Sequence, residues 1–233
     1  FREPWPNPQA MIERMHRMGI KLVLWQIPAL KQLEEGEHCP QHDRDDAFAL
    51  EQGFVVENAD GTPYQIPRQW FIGAHVPDFT VPELCSWWME KRRYLLEMGV
   101  DGFKTDGGEF MHDLSVRFHN GQSAITMRNR YVADYEAAYT RAIGENRTLY
   151  ARAGDLGAQQ TPIHWAGDQV SSFEEMRSVL GAGLSLGLSG APFWSFDIGG
   201  FAGPLPSAEL YLRSTAMATL VPVMHRHSGP LAG

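Results

Sequence analysis

The chain has 233 residues, 43% of them hydrophobic, and a net charge of −8, which is enough apolar chain for one large core, as in an undivided α/β barrel. Its basic residues are scattered, which excludes an electrostatic track for nucleic acid or an anionic membrane surface. The weakly polar stretch from Val179 to Trp194 is broken by glycine and serine and falls short of a bilayer span. Cys39 and Cys85 cannot build a disulfide framework.

In chain order, Phe1 to Asn7 reads as loop with no signal-peptide pattern. Asn7 followed by Pro8 starts a helix, because the asparagine caps and the proline lacks an N–H that the first turn leaves unused. Met11, Ile12, Met15 and Met18 share one face, and Gly19 supplies a left-handed stop. Ile20 to Trp25 follows as a strand. The segment Glu37-His38-Cys39-Pro40-Gln41-His42-Asp43-Arg44-Asp45-Asp46 holds metal-ligand residue types without zinc spacing or a second cluster, and reads as a solvated loop before a helix. Two short runs between Phe54 and Ile66, around Asp60-Gly61, predict a β-hairpin inserted in a strand-to-helix loop.

Thr80 and Glu83, with Pro82 between them, predict a capping box. The helix they open runs through Trp87, Trp88, Tyr94 and Leu95 to Met98 and stops at Gly99. It feeds the strand in Val100-Asp101-Gly102-Phe103-Lys104-Thr105-Asp106-Gly107-Gly108-Glu109. A third helix, about Thr126 to Ile143, ends at Gly144 and precedes a strand at Thr148–Arg152. Ser172 with Glu175 caps a fourth helix, followed by the run Gly190 to Phe196. Ser207 caps a fifth, Ala208 to Leu220, leading into Val221-Pro222-Val223-Met224 as another strand.

Repeated strand-then-helix order implies a parallel sheet. Polar residues follow nearly every strand: Gln26, Asp106, Arg152, Asp168, Asp197 and His227. Sites assembled from several strand ends favour a (β/α)8 barrel over a doubly wound sheet. About six strands are countable, so the barrel is incomplete, with 1–233 forming one partial (β/α)8 domain.

Asp106 and Asp168, the latter in His164-Trp165-Ala166-Gly167-Asp168-Gln169, are carboxylates at two strand ends among glycines and aromatics. Either alone could be a loop cap bonded to backbone N–H groups. As a pair they suit glycoside cleavage, in which one carboxylate attacks the sugar and the other handles the proton.

Phe103-Lys104-Thr105-Asp106-Gly107-Gly108-Glu109, Arg152-Ala153-Gly154, Gly157-Ala158-Gln159-Gln160, Pro162 to Asp168 and Phe193-Trp194-Ser195-Phe196-Asp197-Ile198-Gly199-Gly200-Phe201 together resemble glycoside hydrolase family 31, the α-glucosidases and α-xylosidases. The resemblance runs from about Asn7 to His227. It implies barrel strands three to eight, so the chain is expected to be a fragment of a larger enzyme whose flanking β-domains are missing here. It assigns Asp106 as nucleophile and Asp168 as general acid/base. Arg152 would contact the bound sugar and the carboxylates, and Asp197 and His227 would line the pocket of the cleaved sugar, the latter in Met224-His225-Arg226-His227-Ser228, which departs from the family pattern by holding a second histidine, His225. Trp25, Trp70 and Lys104 match pocket positions in the branch that includes α-xylosidases.

The function so implied is a retaining, exo-acting α-glucosidase, with an oligosaccharide or other α-glycoside as substrate and neither metal nor organic cofactor. Retention predicts carboxyl groups about 5–5.5 Å apart. α-Xylosidase is the alternative, because Lys104-Thr105-Asp106 resembles that branch. A non-catalytic carbohydrate-binding barrel is the rival from another class, and a metal-dependent barrel hydrolase a more distant one.

Overall fold

Helix starts in this chain are set locally. The computed structural model describes residues 5–34, 36–69 and 71–227; Phe1 to Pro4 of the expected opening loop lie outside them. Helix α1 (Pro8–Arg17) begins where the Asn7 side chain accepts the Ala10 N–H at 3.0 Å. It ends before Gly19, whose φ of +76° is the left-handed stop. Two compact units follow from the packing. One holds the chain up to Thr148 with Ala153–Leu156, and the other holds Leu149–Arg152 and the chain from Gly157 on.

In the first unit, strand β1 (Val23–Gln26) is shorter than the apolar run from Ile20. Helix α2 (Pro40–Glu51) corrects the expected loop: His42 to Asp46 lie inside its first two turns, after a proline at the start. Helix α3 (Pro82–Glu97) corrects the expected capping box. Its N-cap is Val81, with no side-chain cap bond. The Thr80 hydroxyl and N–H both donate instead to Asp78 Oδ1, at 2.7 and 2.9 Å. Strand β2 (Gly102–Thr105) and helix α4 (Ala124–Ile143) complete the unit.

β1 and β2 pair in parallel, Trp25 opposite Lys104 and Gln26 opposite Thr105. Side chains alternate across a strand, and the burial pattern follows. Phe103, fully buried, meets the α4 ring of Tyr139 at 5.5 Å. Tyr131, Tyr135 and Tyr139 of α4 continue the core to Phe79 and Trp88. Trp25 and Lys104 occupy the opposite face, the one Asp106 extends. The segment between β1 and α3 contains the Asn58–Thr62 turn, where Asn58 N–H donates to Thr62 O and Tyr64 N–H to Val56 O. It forms single bridges such as Gln65 with His75 rather than continuous strands.

The second unit contains β3 (Thr148–Ala151) from Leu149 on, β4 (Ile163–Trp165) and β5 (Trp194–Ser195), with β4 parallel to both of the others. Helices α5 (Phe173–Leu188) and α6 (Ala208–Ala218) are capped as the sequence predicts. Ser172 Oγ accepts the Glu175 N–H and Ser207 Oγ accepts the Leu210 N–H, both at 3.1 Å. Helix α5 packs on β5 so closely that a Cβ on Gly183 would sit 2.3 Å from the Trp194 ring. Val179, Trp194, Phe196, Ile198 and Ala218 form that core.

The expected strand at Val221–Met224 does not form. Pro222 offers no N–H to a ladder, and pairing is confined to one parallel bridge, Asp197 with His225. Five strands are therefore assigned among the described residues, where about six were expected.

Candidate active site

The first unit brings Trp25 and Asp106 together. Asp106 leaves β2 with its N–H donated to Gln26 O at 2.9 Å. The Trp25 indole Nε1–H, from the neighbouring strand, donates to Asp106 Oδ2 at 2.8 Å. The other oxygen, Oδ1, accepts the Gly107 N–H at 2.8 Å. Gly107 has φ +73°, and a Cβ there would lie 2.7 Å from the Phe110 ring. The glycine after the aspartate is thus required twice, by conformation and by space.

Lys104 shares the Trp25 face through the strand register. Gln26, read from sequence as a strand-end polar group, faces the helices instead. Its Oε1 accepts Arg92 Nε–H at 2.7 Å and the Tyr139 hydroxyl at 3.3 Å. The Phe71 ring, at 6.2 Å from Trp25, joins the site, and no periodicity or motif in the sequence announces it. Trp70 lies outside the described residues.

The second unit brings Arg152 and Asp168 together, Nη1 to Oδ2 at 3.8 Å. The turn between β4 and Asp168 is shaped by Gly167, φ +80°, where a Cβ would stand 3.3 Å from the Arg152 side chain. Asp197 is 1% exposed and faces His225 Nδ1 at 3.1 Å. His227 instead packs edge-on against Phe201, with ring centroids 4.4 Å apart. His225 also meets the Tyr150 ring at 5.3 Å. The Tyr150 hydroxyl bonds to Ser195 Oγ; burial pushes its pKa up to about 12, so it remains a neutral hydroxyl. The two-histidine sequence around Arg226 was the one available signal for His225, and only pairing with Asp197 distinguishes it from His227.

The acidic segment of α2 is engaged elsewhere, with Asp46 Oδ1 2.8 Å from His75 Nδ1. Among the described residues, no three His, Cys, Asp or Glu side chains gather as metal ligands. No helix there is long and apolar enough to cross a membrane.

Parallel β-strands with helices between them carry Asp106, Arg152 and Asp197 at or just beyond their C-terminal ends, as the strands of a TIM-barrel domain do. The Glycosyl hydrolases family 31 TIM-barrel domain matches residues 2–231. The chain belongs to glycoside hydrolase family 31, of whose barrel it forms part. It is 43% identical over 231 residues to the isomaltosyltransferase of Sporosarcina globispora, covering 96% of this chain and 21% of that protein. It is 41% identical over 229 residues to the 1,3-alpha-isomaltosidase of Kribbella flavida, covering 96% of this chain and 31% of that one. The solved structure of a cycloalternan-forming enzyme from Listeria monocytogenes in complex with pentasaccharide substrate superposes with a TM-score of 0.90 at 38% identity, over 100% of this chain and 22% of that one. The chain thus spans between a fifth and a third of the length of these proteins.

Proposed function

We propose that the chain is the catalytic portion of a longer retaining α-glycosidase that acts on α-glucosidic bonds. The observation that carries this reading is the Trp25 N–H on Asp106, a donor aimed at a strand-end carboxylate in a family 31 barrel. Asp106 attacks the anomeric carbon as the bond to the leaving oxygen breaks, and Asp168 gives that oxygen its proton. Water then attacks the same carbon, Asp168 takes its proton, and the Asp106 ester bond opens. Two supports are needed. Trp25 and Gly107 fix the nucleophile by charge-assisted hydrogen bonds. Arg152 steadies a carboxylate that alternates between carrying and lacking a proton.

Asp197, buried against His225, suits a hydroxyl-binding role at the cleaved sugar. Lys104 on the Trp25 face suits the same pocket, and His227 and Trp70 stay in the reading through the family resemblance. The names of the two relatives, which concern isomaltosyl groups, favour a glucose-configured donor over xylose. A sugar hydroxyl replacing water in the second step would turn hydrolysis into transfer without any change in the residues used.

The test is trapping of the longer protein with 5-fluoro-α-glucosyl fluoride, followed by peptide mapping. A label on the peptide containing Asp106 is expected. A label elsewhere, or turnover of p-nitrophenyl α-glucoside that survives Asp106→Ala, would defeat the reading. Comparison of p-nitrophenyl α-glucoside, α-isomaltoside and α-xyloside assigns the donor. A lectin-like barrel would show sugar affinity without turnover of any of them.

A further inference from the structure

Phe71 and Ile72 are the non-glycine residues at positive φ among those described, 43° and 58°, and Gly73 follows at +74°. A left-handed β-branched residue is a genuine outlier, and such strain persists only where the surrounding structure holds it. Something must therefore hold this turn in place.

The holder is Gln32, in the loop after β1. Its main-chain N–H donates to Phe71 O at 3.3 Å. Its side chain is fixed from the other side, with Nε2 donating to Asp46 Oδ2 at 3.2 Å. Asp46 Oδ1 and Gln32 Nε2 lie 2.8 and 3.2 Å from His75 Nδ1, so the three side chains form one cluster. His75 is 8% exposed. It exchanges main-chain bonds with Leu30, two residues before Gln32, at 2.9 and 3.1 Å. Burial pushes the Asp46 carboxyl up, yet the bonds from His75 and Gln32 hold its pKa below the ordinary value.

The other side of the turn touches the site: the Phe71 ring lies against Trp25, and Trp25 donates to Asp106. We propose that Gln32 is a positioning residue for Asp106, acting through the Phe71 turn and Trp25 and locked in place by the buried Asp46–His75 pair. This rests on Asp106 being the nucleophile. The residue touches no reacting atom. Its effect is to remove the freedom of an indole whose single N–H must meet one carboxylate oxygen.

The test is steady-state kinetics of the longer protein on p-nitrophenyl α-glucoside. Gln32→Ala is expected to lower kcat about tenfold with KM changed less than about twofold, the split that distinguishes misplacement of a reacting group from lost binding. Trp25→Phe should lower kcat at least as much, and the double variant should be no slower than Trp25→Phe alone, because both substitutions break one relay. Phe71→Leu, which spares the Asp46–His75 pair, should show the same kcat loss and decides the matter if Gln32→Ala does not fold. Wild-type kcat in the folded Gln32→Ala or Phe71→Leu variant, or multiplicative losses in the double variant, overturns the positioning role alone. Turnover that survives Asp106→Ala overturns the nucleophile reading and this proposal with it.

Discussion

Trp25 and Asp106 sit on adjacent parallel strands, and the indole of one donates to the carboxylate of the other over 2.8 Å. The bond is cross-strand: Lys104 opposes Trp25 in the register, and Asp106, two residues on, presents to the same face. Half of the Trp25 surface stays open, so the ring can also serve as a platform for a pyranose face.

Trp25→Phe keeps the ring and removes the donor. A hydrogen bond to a charged group contributes about 1.5–3 kcal/mol, so kcat should fall by roughly 10- to 100-fold. Thermal stability should stay within about 0.5 kcal/mol, as for other surface substitutions. A loss of stability without a loss of kcat would show that the ring is only structural.

Arg152→Lys keeps a positive charge but loses the guanidinium fork that faces Asp168. The kcat/KM of the longer protein should fall at least about tenfold, and Arg152→Ala should be worse. Equal activity of wild type and Arg152→Lys would reduce Arg152 to a point charge.

His225→Ala removes the imidazole that stands 3.1 Å from the buried Asp197 carboxylate, which should cost about 1–3 kcal/mol, as the loss of a buried polar group's partner does. His227→Ala, at an exposed ring packed on Phe201, should cost less than about 1 kcal/mol. Unfolding curves of the two variants, with activity measured alongside, decide which histidine serves the site.

Glu136 lies on α4 behind β2, where burial pushes its carboxyl up to about 8, with the Thr105 hydroxyl beside it pulling the other way. Below the ordinary value of 4.5 the acid is neutral in both folded and unfolded chains, so burial adds no ionisation cost. Between 4.5 and about 8 the unfolded chain has released a proton that the folded chain keeps, so stability falls as pH rises, by about 1.4 kcal/mol per unit. Above 8 the loss is complete. Glu136→Gln should therefore match wild type at pH 4 and be the more stable protein by a few kcal/mol at pH 8. Parallel stability–pH curves would refute the buried, neutral acid.

Much of the fold is legible in the sequence because its signals are local. Asn7, Ser172 and Ser207 cap their helices with their own side chains, and Gly19 and Gly144 take positive φ after a helix, as their chemistry requires. The capping box at Thr80 failed because Asp78, buried and two residues earlier, captured the same hydroxyl. The apolar run Val221–Met224 failed as a strand because partners, not composition, make a ladder. Gln26 shows the same limit in the site: a polar strand-end residue, it is committed to Arg92 and Tyr139 on the helix side.

What the sequence determines by itself is the alternation of strand and helix, the family, and the strand ends on which acidic and basic groups fall. Those depend on neighbours along the chain, on short-range caps and on motif order. Tertiary structure alone decides which groups meet: Trp25 with Asp106, Arg152 with Asp168, His225 rather than His227 with Asp197, and Gln32 with the strained Phe71 turn. The physical reason is that hydrogen bonds act over about 3 Å, and strand register, not sequence spacing, sets which side chains come within that reach.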